Sequence, residues 1–197
     1  MIKCKDISLS FDGKKVLDNL NIHIEKGEHA CIRGISGKGK STFLKILQGY
    51  VLPSSGTIEI NGEQLNAANI KSIRKSMVWI PQNINLPVQN GLELAQMMNL
   101  QVQESTVNKL LNQLGLEFDI INKDFSKISG GQKQRVVIAI CFALDKDIVL
   151  MDEPTASLDD ESTSLIIKVV KQFIGKTIVS ASHNHLWVKS ADKIYDL

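Results

Sequence analysis

The sequence predicts an α/β fold with three parts: a core with a parallel sheet, an antiparallel β subdomain and an inserted α-helical subdomain. Residues 28–49 read as a strand, a glycine-rich loop and a helix in direct succession. Two alternating apolar and polar runs precede this unit, and a region with helical periodicity follows at about 83–128. We expect a single domain over 1–197, with the core and β subdomain in 1–82 and 129–197 and the helical subdomain at approximately 83–128.

Composition and charge narrow the class of protein. The chain has 197 residues, 43% of them hydrophobic, and a formal net charge of +2 without a long Lys or Arg run, which argues against a nucleic-acid partner. Its three cysteines are scattered without a C-x-x-C pair, an arrangement that suits buried thiols in a reducing cytosol. No apolar run approaches the roughly 18 residues of a bilayer span, and the N-terminus does not read as a signal peptide. We expect a soluble chain, so any membrane role would come through a partner.

The N-terminal segment predicts two antiparallel strands. Ile2–Phe11 alternates roughly between apolar and polar residues, Asp12 and Gly13 form a turn signal, and residues 20–24 alternate again. Phe11 ends the first strand just before that turn. On pattern alone a core position is favoured for Phe11, and the alternative is an aromatic face offered to an adenine base.

The loop at residues 34–42 fits the pattern G-x-x-x-x-G-K-[ST]. Its glycines allow successive backbone N–H groups to line a concave anion site. Lys40 supplies a compact positive charge for the outer phosphates, and the hydroxyl of Ser41 suits Mg²⁺. Residues 28–33 read as the strand that enters the loop, and residues 42–47 as the helix that leaves it with its positive end toward the anion. A flexible glycine turn is the alternative, but it does not explain the strand and helix on either side.

The next segment continues the α/β pattern and then becomes helical. Residues 57–60 read as a strand before an Asn-Gly hairpin turn, Ile70–Lys75 as a short polar helix or loop, and Met77–Ile80 as a buried strand that Pro81 ends, with Gln82 in the following loop. We expect one helix to carry Leu92, Ala95, Gln96 and Asn99, a second to carry Val107, Leu110, Leu111 and Leu114 before Gly115, and Met97 and Met98 to fill the core.

Two further segments carry candidate chemistry. Ser129 can cap an apolar helix at 136–144, and the glycines after it leave the start of that helix open to an anion, although Ser-Gly-Gly is usually only a loop. A fully apolar strand at 148–151 ends in Asp152 and Glu153. An acidic pair at the carboxyl end of a parallel strand lies where ligands bind in open α/β sheets. Asp152 suits the Mg²⁺ shell and Glu153 can orient or deprotonate water, whereas a solvated acidic turn is the alternative.

The C-terminal part predicts a helix beginning at the acidic residues 159–161, a strand at 177–181 and a last short strand at Lys193–Asp196. His183 follows the first of these strands. His183 and His185 resemble a metal pair only superficially, because the nearby sequence holds no Cys or third ligand.

Taken together, these motifs resemble the ATP-binding subunit, or nucleotide-binding domain, of ABC transporters, and the resemblance covers essentially the whole chain. Residues 34–42 resemble its Walker A motif, Gln82 the Q-loop glutamine, 128–132 the signature motif and 148–153 the Walker B motif with its catalytic glutamate. Residues 157–159, beginning at Ser157, resemble the D-loop, His183 the switch histidine, and Phe11 the adenine-stacking aromatic. The resemblance implies a P-loop NTPase fold with a RecA-like core.

The resemblance also implies a set of site residues. The catalytic residues it implies are Glu153, His183 and Gln82, and the Mg²⁺ ligands are Ser41, Gln82 and Asp152. The ATP-binding residues it implies are Phe11, Val16, Gly34, Ser36, Gly37, Lys38, Gly39, Lys40, Ser41, Thr42, Ser129, Gly130, Gly131, Gln132 and Asp159. This chain departs from the family pattern in having Lys38 where a small residue is common, Ile128 for leucine, Asn184 for aspartate, and Phe11 for tyrosine or tryptophan.

The mechanism that the resemblance implies involves two copies, facing head to tail as a homodimer. Each ATP would lie between the Walker A motif of one copy and the signature segment of the other, and closure and release would follow ATP binding and hydrolysis. Gln82 would report nucleotide binding to the helical insertion, which would dock on a separately encoded membrane permease. We therefore expect a transport-coupled ATPase, cytoplasmic and peripheral on the inner face of the cell membrane. A soluble ABC ATPase such as an Fe–S assembly factor is the alternative, and Glu153 and His183 argue against a regulator without turnover.

Overall fold

The computed structural model describes residues 1–99, 104–156 and 158–197 of the chain. Its strands are β1 (Ile2–Phe11), β2 (Lys14–Ile24), β3 (His29–Arg33), β4 (Ser55–Ile60), β5 (Glu63–Gln64), β6 (Met77–Ile80), β7 (Ile148–Asp152), β8 (Thr177–Ser182) and β9 (Lys193–Asp196). Its helices are α1 (Lys40–Leu47), α2 (Ile70–Lys75), α3 (Gly91–Met97), α4 (Glu104–Gln113), α5 (Gly130–Ala143), α6 (Asp160–Val170) and α7 (His185–Ser190), with a 3₁₀ helix at Phe118–Asn122. Mixed α/β architecture is confirmed.

An antiparallel sheet in the order β2-β1-β4-β5 forms the β subdomain. Asp12 and Gly13 both have positive φ, at 47° and 77°, and form the tight turn that pairs Phe11 with Lys14. Strand β2 therefore begins at Lys14, well before the apolar alternation at Leu20 on which the sequence-based boundary rests. A two-residue turn forces pairing from its first flanking residues, whatever their polarity.

The second sheet is parallel and has the order β6-β7-β8-β3-β9. Every residue of β7 and β8 is buried, as expected for strands covered on both faces. Alternate residues of β7 face opposite sides: Val149 and Met151 belong to one apolar cluster, and Ile148 and Leu150 to the other. Because the strands are parallel, the loops after β3, β6, β7 and β8 meet at one edge of the sheet.

The helical segment packs onto the core through the apolar positions of α4 and its neighbours. Leu94, Val107 and Leu110 belong to the same cluster as Val149 and Met151 of β7. Two details of the sequence-based description are wrong. Helix α3 ends at Met97, so Asn99 lies outside it with a φ of 51°, and the Met97 side chain is 53% exposed rather than core filler.

The cysteines and the helices bear on the expected cellular environment of the chain. All three cysteines are free and buried, and burial raises the pKa of the Cys4 and Cys141 thiols to about 12. No helix in the described part of the chain combines the length and apolar character that a bilayer span requires.

Candidate active site

A cavity of about 310 Å³ lies at the carboxyl edge of the parallel sheet. Segments far apart in the chain supply its walls: the end of β1, the loop before α1, and the loops after β6, β7 and β8. Its lining residues are Phe11, Val16, Ser36, Gly37, Gly39, Lys40, Ser41, Thr42, Gln82, Glu153 and His183. The fold therefore brings the glycine-rich loop, one acidic residue and one histidine to a single pocket.

The glycine-rich loop has a backbone shape that requires glycine. Gly37 and Gly39 have φ of 82° and 90°, values that L-residues rarely adopt. A Cβ at Gly39 would also lie 2.9 Å from Cγ1 of Val16. Helix α1 begins at the next residue, Lys40, so its free N–H groups point toward the pocket.

Lys40 lies inside the loop with its ammonium group almost fully surrounded. Its Nζ donates to the carbonyl oxygens of Gly34 at 2.8 Å and Ile35 at 3.3 Å, and pairs with Oε1 of Glu153 at 3.1 Å. Both partners of the ion pair are only 6% exposed. A buried charge is tolerated because it is paired and hydrogen-bonded. The ammonium group has three N–H donors, so a phosphate oxygen that reached Nζ would have to displace one of these three acceptors.

Glu153 lies at the centre of the site's hydrogen bonding. Nδ1 of His183 is 3.0 Å from both of its carboxylate oxygens, and its backbone N–H donates to Ala181 of β8 at 2.8 Å. Its φ is 45°, a left-handed conformation that is costly for a side chain of this size. This conformation turns the carboxylate back over the pocket instead of into solvent, so a solvated acidic turn is excluded.

Asp152 and Ser41 form a second polar pair, next to the pair of Lys40 and Glu153. Ser41 Oγ donates to Oδ1 of Asp152 at 3.0 Å. Burial raises the pKa of Asp152, and the hydrogen bond from Ser41 opposes that rise. A hydroxyl and a carboxylate oxygen fit Mg²⁺, which prefers oxygen ligands and keeps several waters. Within the described ranges, no three His, Cys, Asp or Glu side chains converge on a common metal position, so further ligands would be Gln82, water or phosphate.

Phe11 lines the pocket with its side chain 50% exposed, so the core position favoured on pattern alone is wrong. It is the last residue of β1 and pairs with Lys14 across the two-residue turn. That hairpin end therefore projects beside the glycine-rich loop rather than over the core. Phe11 and Val16 form the apolar part of the wall.

Several predicted site residues lie outside this pocket. Ser129 and Gln132 form a capping box at the start of α5, with Gln132 N–H donating to Ser129 Oγ at 3.1 Å, which confirms the predicted cap. Gly130 is exposed, and a Cβ there would meet nothing within 4 Å. Asp159 caps α6 by accepting from Ser162 N–H at 2.7 Å. The remaining predictions that the pocket does not include are Gly34, Lys38, Gly131 and Asp152, and Ser157 lies outside the described residues.

Helix α7 was missed by the sequence-based description. Asn184 caps it by accepting from Trp187 N–H at 3.0 Å, and Trp187 is fully buried. The signal was present: Asn is a preferred residue just before a helix, and apolar residues follow it from Leu186 to Val188. The Lys40–Glu153 ion pair was also missed, because nothing in the linear sequence relates residues so far apart.

The chain is similar in sequence to proteins of known families. A family model described as ABC transporter matches residues 17–156. The chain is 33% identical over 208 residues to the energy-coupling factor transporter ATP-binding protein EcfA1 of Mesomycoplasma hyopneumoniae (strain 7448), covering 98% of this chain and 76% of that protein. It is 34% identical over 207 residues to the arginine transport ATP-binding protein ArtM of Bacillus subtilis (strain 168), covering 98% and 86%.

The fold is also similar to that of a solved structure. The dimeric post-hydrolysis state of the ATP-binding cassette MJ0796, bound to ADP and Pi, matches with a TM-score of 0.84 and 28% identity. The match covers 100% of this chain and 94% of that one.

Proposed function

We propose, because this chain belongs to the ABC transporter family, that its pocket is one half of a composite MgATP site which a second copy completes. The chain is an ATP-binding and ATP-hydrolysing subunit that works with a separate membrane component. The observation that carries the proposal is the grouping of Lys40, Glu153 and His183 around one pocket beside the Ser41–Asp152 pair. The names of the relatives favour transport over Fe–S assembly.

The phosphates of ATP would bind to the glycine-rich loop and to the start of α1. Positive φ at Gly37 and Gly39 turns backbone N–H groups inward, and the Lys40 ammonium supplies the charge. Phe11 and Val16 would pack against the adenine base. Ser41, Asp152 and Gln82 would hold Mg²⁺, which neutralises phosphate charge when it is bound.

Glu153 and His183 would carry the hydrolytic step. With phosphate on Lys40, the carboxylate of Glu153 is free to accept a proton from the attacking water. His183, whose Nδ1 now contacts both Glu153 oxygens, would contact the γ-phosphate and fix the geometry of the site. Gln82 lines the same pocket from the loop after β6, where it would relay nucleotide binding to the helical subdomain.

The segment 129–132 supports the requirement for a second copy. It presents the exposed start of α5, a helix terminus with free N–H groups suited to an anion, but it does not line the chain's own pocket. In a head-to-tail dimer this terminus would face the γ-phosphate held by the other copy. Dimeric cassettes among the structural relatives favour that arrangement.

Replacement of Ser129 by Arg tests whether the site requires a second copy of the chain. We expect Ser129→Arg to leave ATP binding by the single chain unchanged, because Ser129 does not line its pocket, and to abolish ATP-driven dimerisation through steric and electrostatic conflict at the closing surface. Ser72→Arg, at an exposed position of α2, is the matched control. Light scattering after gel filtration with ATP measures the dimer. A Ser129→Arg chain that dimerised as the control does would exclude the opposed arrangement.

A groove between core residues and Met98, at the end of helix α3, supports a permease docking surface. It encloses about 280 Å³, and its lining residues are Gln48, Tyr50, Arg74, Met77, Val78, Trp79, Met98, Leu144 and Lys146. Arg74 stacks 4.1 Å above the Tyr50 ring. An apolar floor and two cations suit an amphipathic segment with an acidic end, on a permease at the cytoplasmic face of the membrane.

Charge reversal in the groove tests this docking surface. We expect Arg74→Glu to reduce the share of the chain that sediments with host membranes, while ATP hydrolysis by the purified chain stays unchanged, because Arg74 lies outside the nucleotide pocket. Lys71→Glu makes the same charge change on the same helix at an exposed position outside the groove. Equal membrane recovery of the two variants would count against the groove.

A further inference from the structure

The ring of His183 is held by few contacts of its own. Its side chain is 65% exposed, and its hydrogen-bond partner among the described residues is Glu153. Only residues 183 and 184 separate β8 from α7. The direction of the His183 ring is therefore set by how the end of β8 and the start of α7 are fixed relative to each other.

The start of α7 is tied to β8 by a short chain of hydrogen bonds. Asn184 N–H donates to Ser182 Oγ at 3.2 Å, and Asn184 Oδ1 accepts from Trp187 N–H at 3.0 Å. Trp187 in turn donates its indole N–H to Ser180 Oγ at 2.9 Å. The first turn of α7 is thus anchored to Ser180, which lies two residues before the end of β8.

His29, Ser180 and Trp187 form a buried cluster, hereafter the Ser180 cluster. Nε2 of His29 lies 3.0 Å from Ser180 Oγ, and its ring meets Trp187 edge to face with centroids 5.4 Å apart. The three residues are 7%, 0% and 0% exposed. Because His29 belongs to β3, this hydroxyl connects the strand that enters the glycine-rich loop, the strand that leads to His183, and helix α7.

Burial keeps His29 neutral and lowers its pKa to about 4. Its backbone N–H donates to Asp192 Oδ2 at 2.8 Å, and Asp192 N–H donates back to the His29 carbonyl at 2.9 Å. These two bonds hold the chain just beyond α7. The helix is therefore fixed at both ends against the same strand pair.

We propose that His29, Ser180 and Trp187 are positioning residues for ATP hydrolysis: they hold α7 against β8 and so keep His183 within hydrogen-bond distance of Glu153. The proposal rests on the role given above to His183. None of the three lines the nucleotide pocket, so the cluster acts on the hydrolytic step and not on the affinity for ATP. A loss of alignment by about 1 Å costs up to roughly a hundredfold in rate at a reacting centre.

Ser180→Ala and Trp187→Phe test the cluster, because each removes one hydrogen-bonding group; Ser180→Ala removes little else, whereas Trp187→Phe also removes part of a fully buried side chain. We expect each to lower kcat for ATP about tenfold with KM unchanged. Ser164→Ala, which removes an exposed hydroxyl from α6, should change neither. Thermal melting in parallel shows that the variants are folded at the assay temperature. An unchanged kcat in both cluster variants would overturn the proposal.

A double-mutant cycle separates this proposal from the proposed function. In a His183→Ala chain the Ser180→Ala change should have no further effect on kcat, since the cluster acts through that histidine. An equal tenfold loss in both backgrounds would mean a general structural effect and would overturn the positioning role alone. If His183→Ala itself left kcat unchanged, the role of His183 in the proposed function would fail.

Discussion

Replacing Glu153 with Gln is expected to lower kcat for ATP at least about a hundredfold, the scale of losing a general base, while ATP stays bound. Glutamine fills the same space but does not accept the water's proton. The change also removes the carboxylate that is 3.1 Å from Lys40 Nζ. Phosphate then no longer competes with a carboxylate for the ammonium group, so ATP affinity should stay the same or increase.

Phosphate release under steady-state conditions and calorimetric titration with ATP measure the two effects separately. Glu63→Gln, on the exposed strand β5, is the matched control and should behave as the unchanged chain. With ATP and Mg²⁺, the Glu153→Gln chain should accumulate as an ATP-loaded dimer. Hydrolysis at the original rate in this variant would refute the assignment of Glu153.

Replacing Lys40 with Ala should have the second large effect, a loss of ATP affinity of about 10- to 100-fold. Hydrogen bonds to a charged group contribute roughly 1.5–3 kcal/mol, and about 1.4 kcal/mol corresponds to a factor of ten in Kd. Lys45→Ala, on the exposed face of the same helix, is the control and should bind ATP normally. Tight MgATP binding by Lys40→Ala would contradict the phosphate site.

Lys40→Ala should also lower the stability of the folded chain, and this loss must be distinguished from the loss of ATP affinity. Removing Lys40 leaves the 6%-exposed Glu153 carboxylate without its cation, and an uncompensated buried charge is strongly destabilising. The double variant Lys40→Ala, Glu153→Gln removes both charges and should recover most of the lost melting temperature. Its ATP affinity should remain low, because the phosphate ligand is still missing.

Much of the site follows from the sequence because motif spacing and strand direction together determine where side chains meet. Asp152 ends one buried strand of the parallel sheet and His183 follows another, so their convergence on the glycine-rich loop needs only the rule for carboxyl ends of strands. The cap at Ser129 was predictable for a local reason: its partners lie three residues away.

Other features depend on tertiary contacts that no local pattern encodes. Phe11 has the alternation of a core residue, but the hairpin end carries it to the pocket, where it is 50% exposed. The pairing of Lys40 with Glu153 joins residues with no relation in sequence. The hydroxyl of Ser180 lies in a buried strand, and its role in joining His29 to Trp187 is visible only once both are packed around it.

The central claim is that this chain holds half of a MgATP pocket and that a second copy supplies the rest. Its most direct test mixes two defective chains, Lys40→Ala and Ser129→Arg, both carrying Glu153→Gln to prevent turnover. In a mixed pair, one site combines the intact Lys40 of one copy with the intact Ser129 of the other, and the second site carries both defects.

The measurement is the amount of ATP that co-elutes with dimers in gel filtration, with the Glu153→Gln chain as the positive control. We expect neither defective chain alone to form an ATP-loaded dimer, and the mixture to form dimers that hold one ATP per two chains. If the mixture captured no more ATP than its two components measured separately, while the control dimerised, the composite pocket would be contradicted.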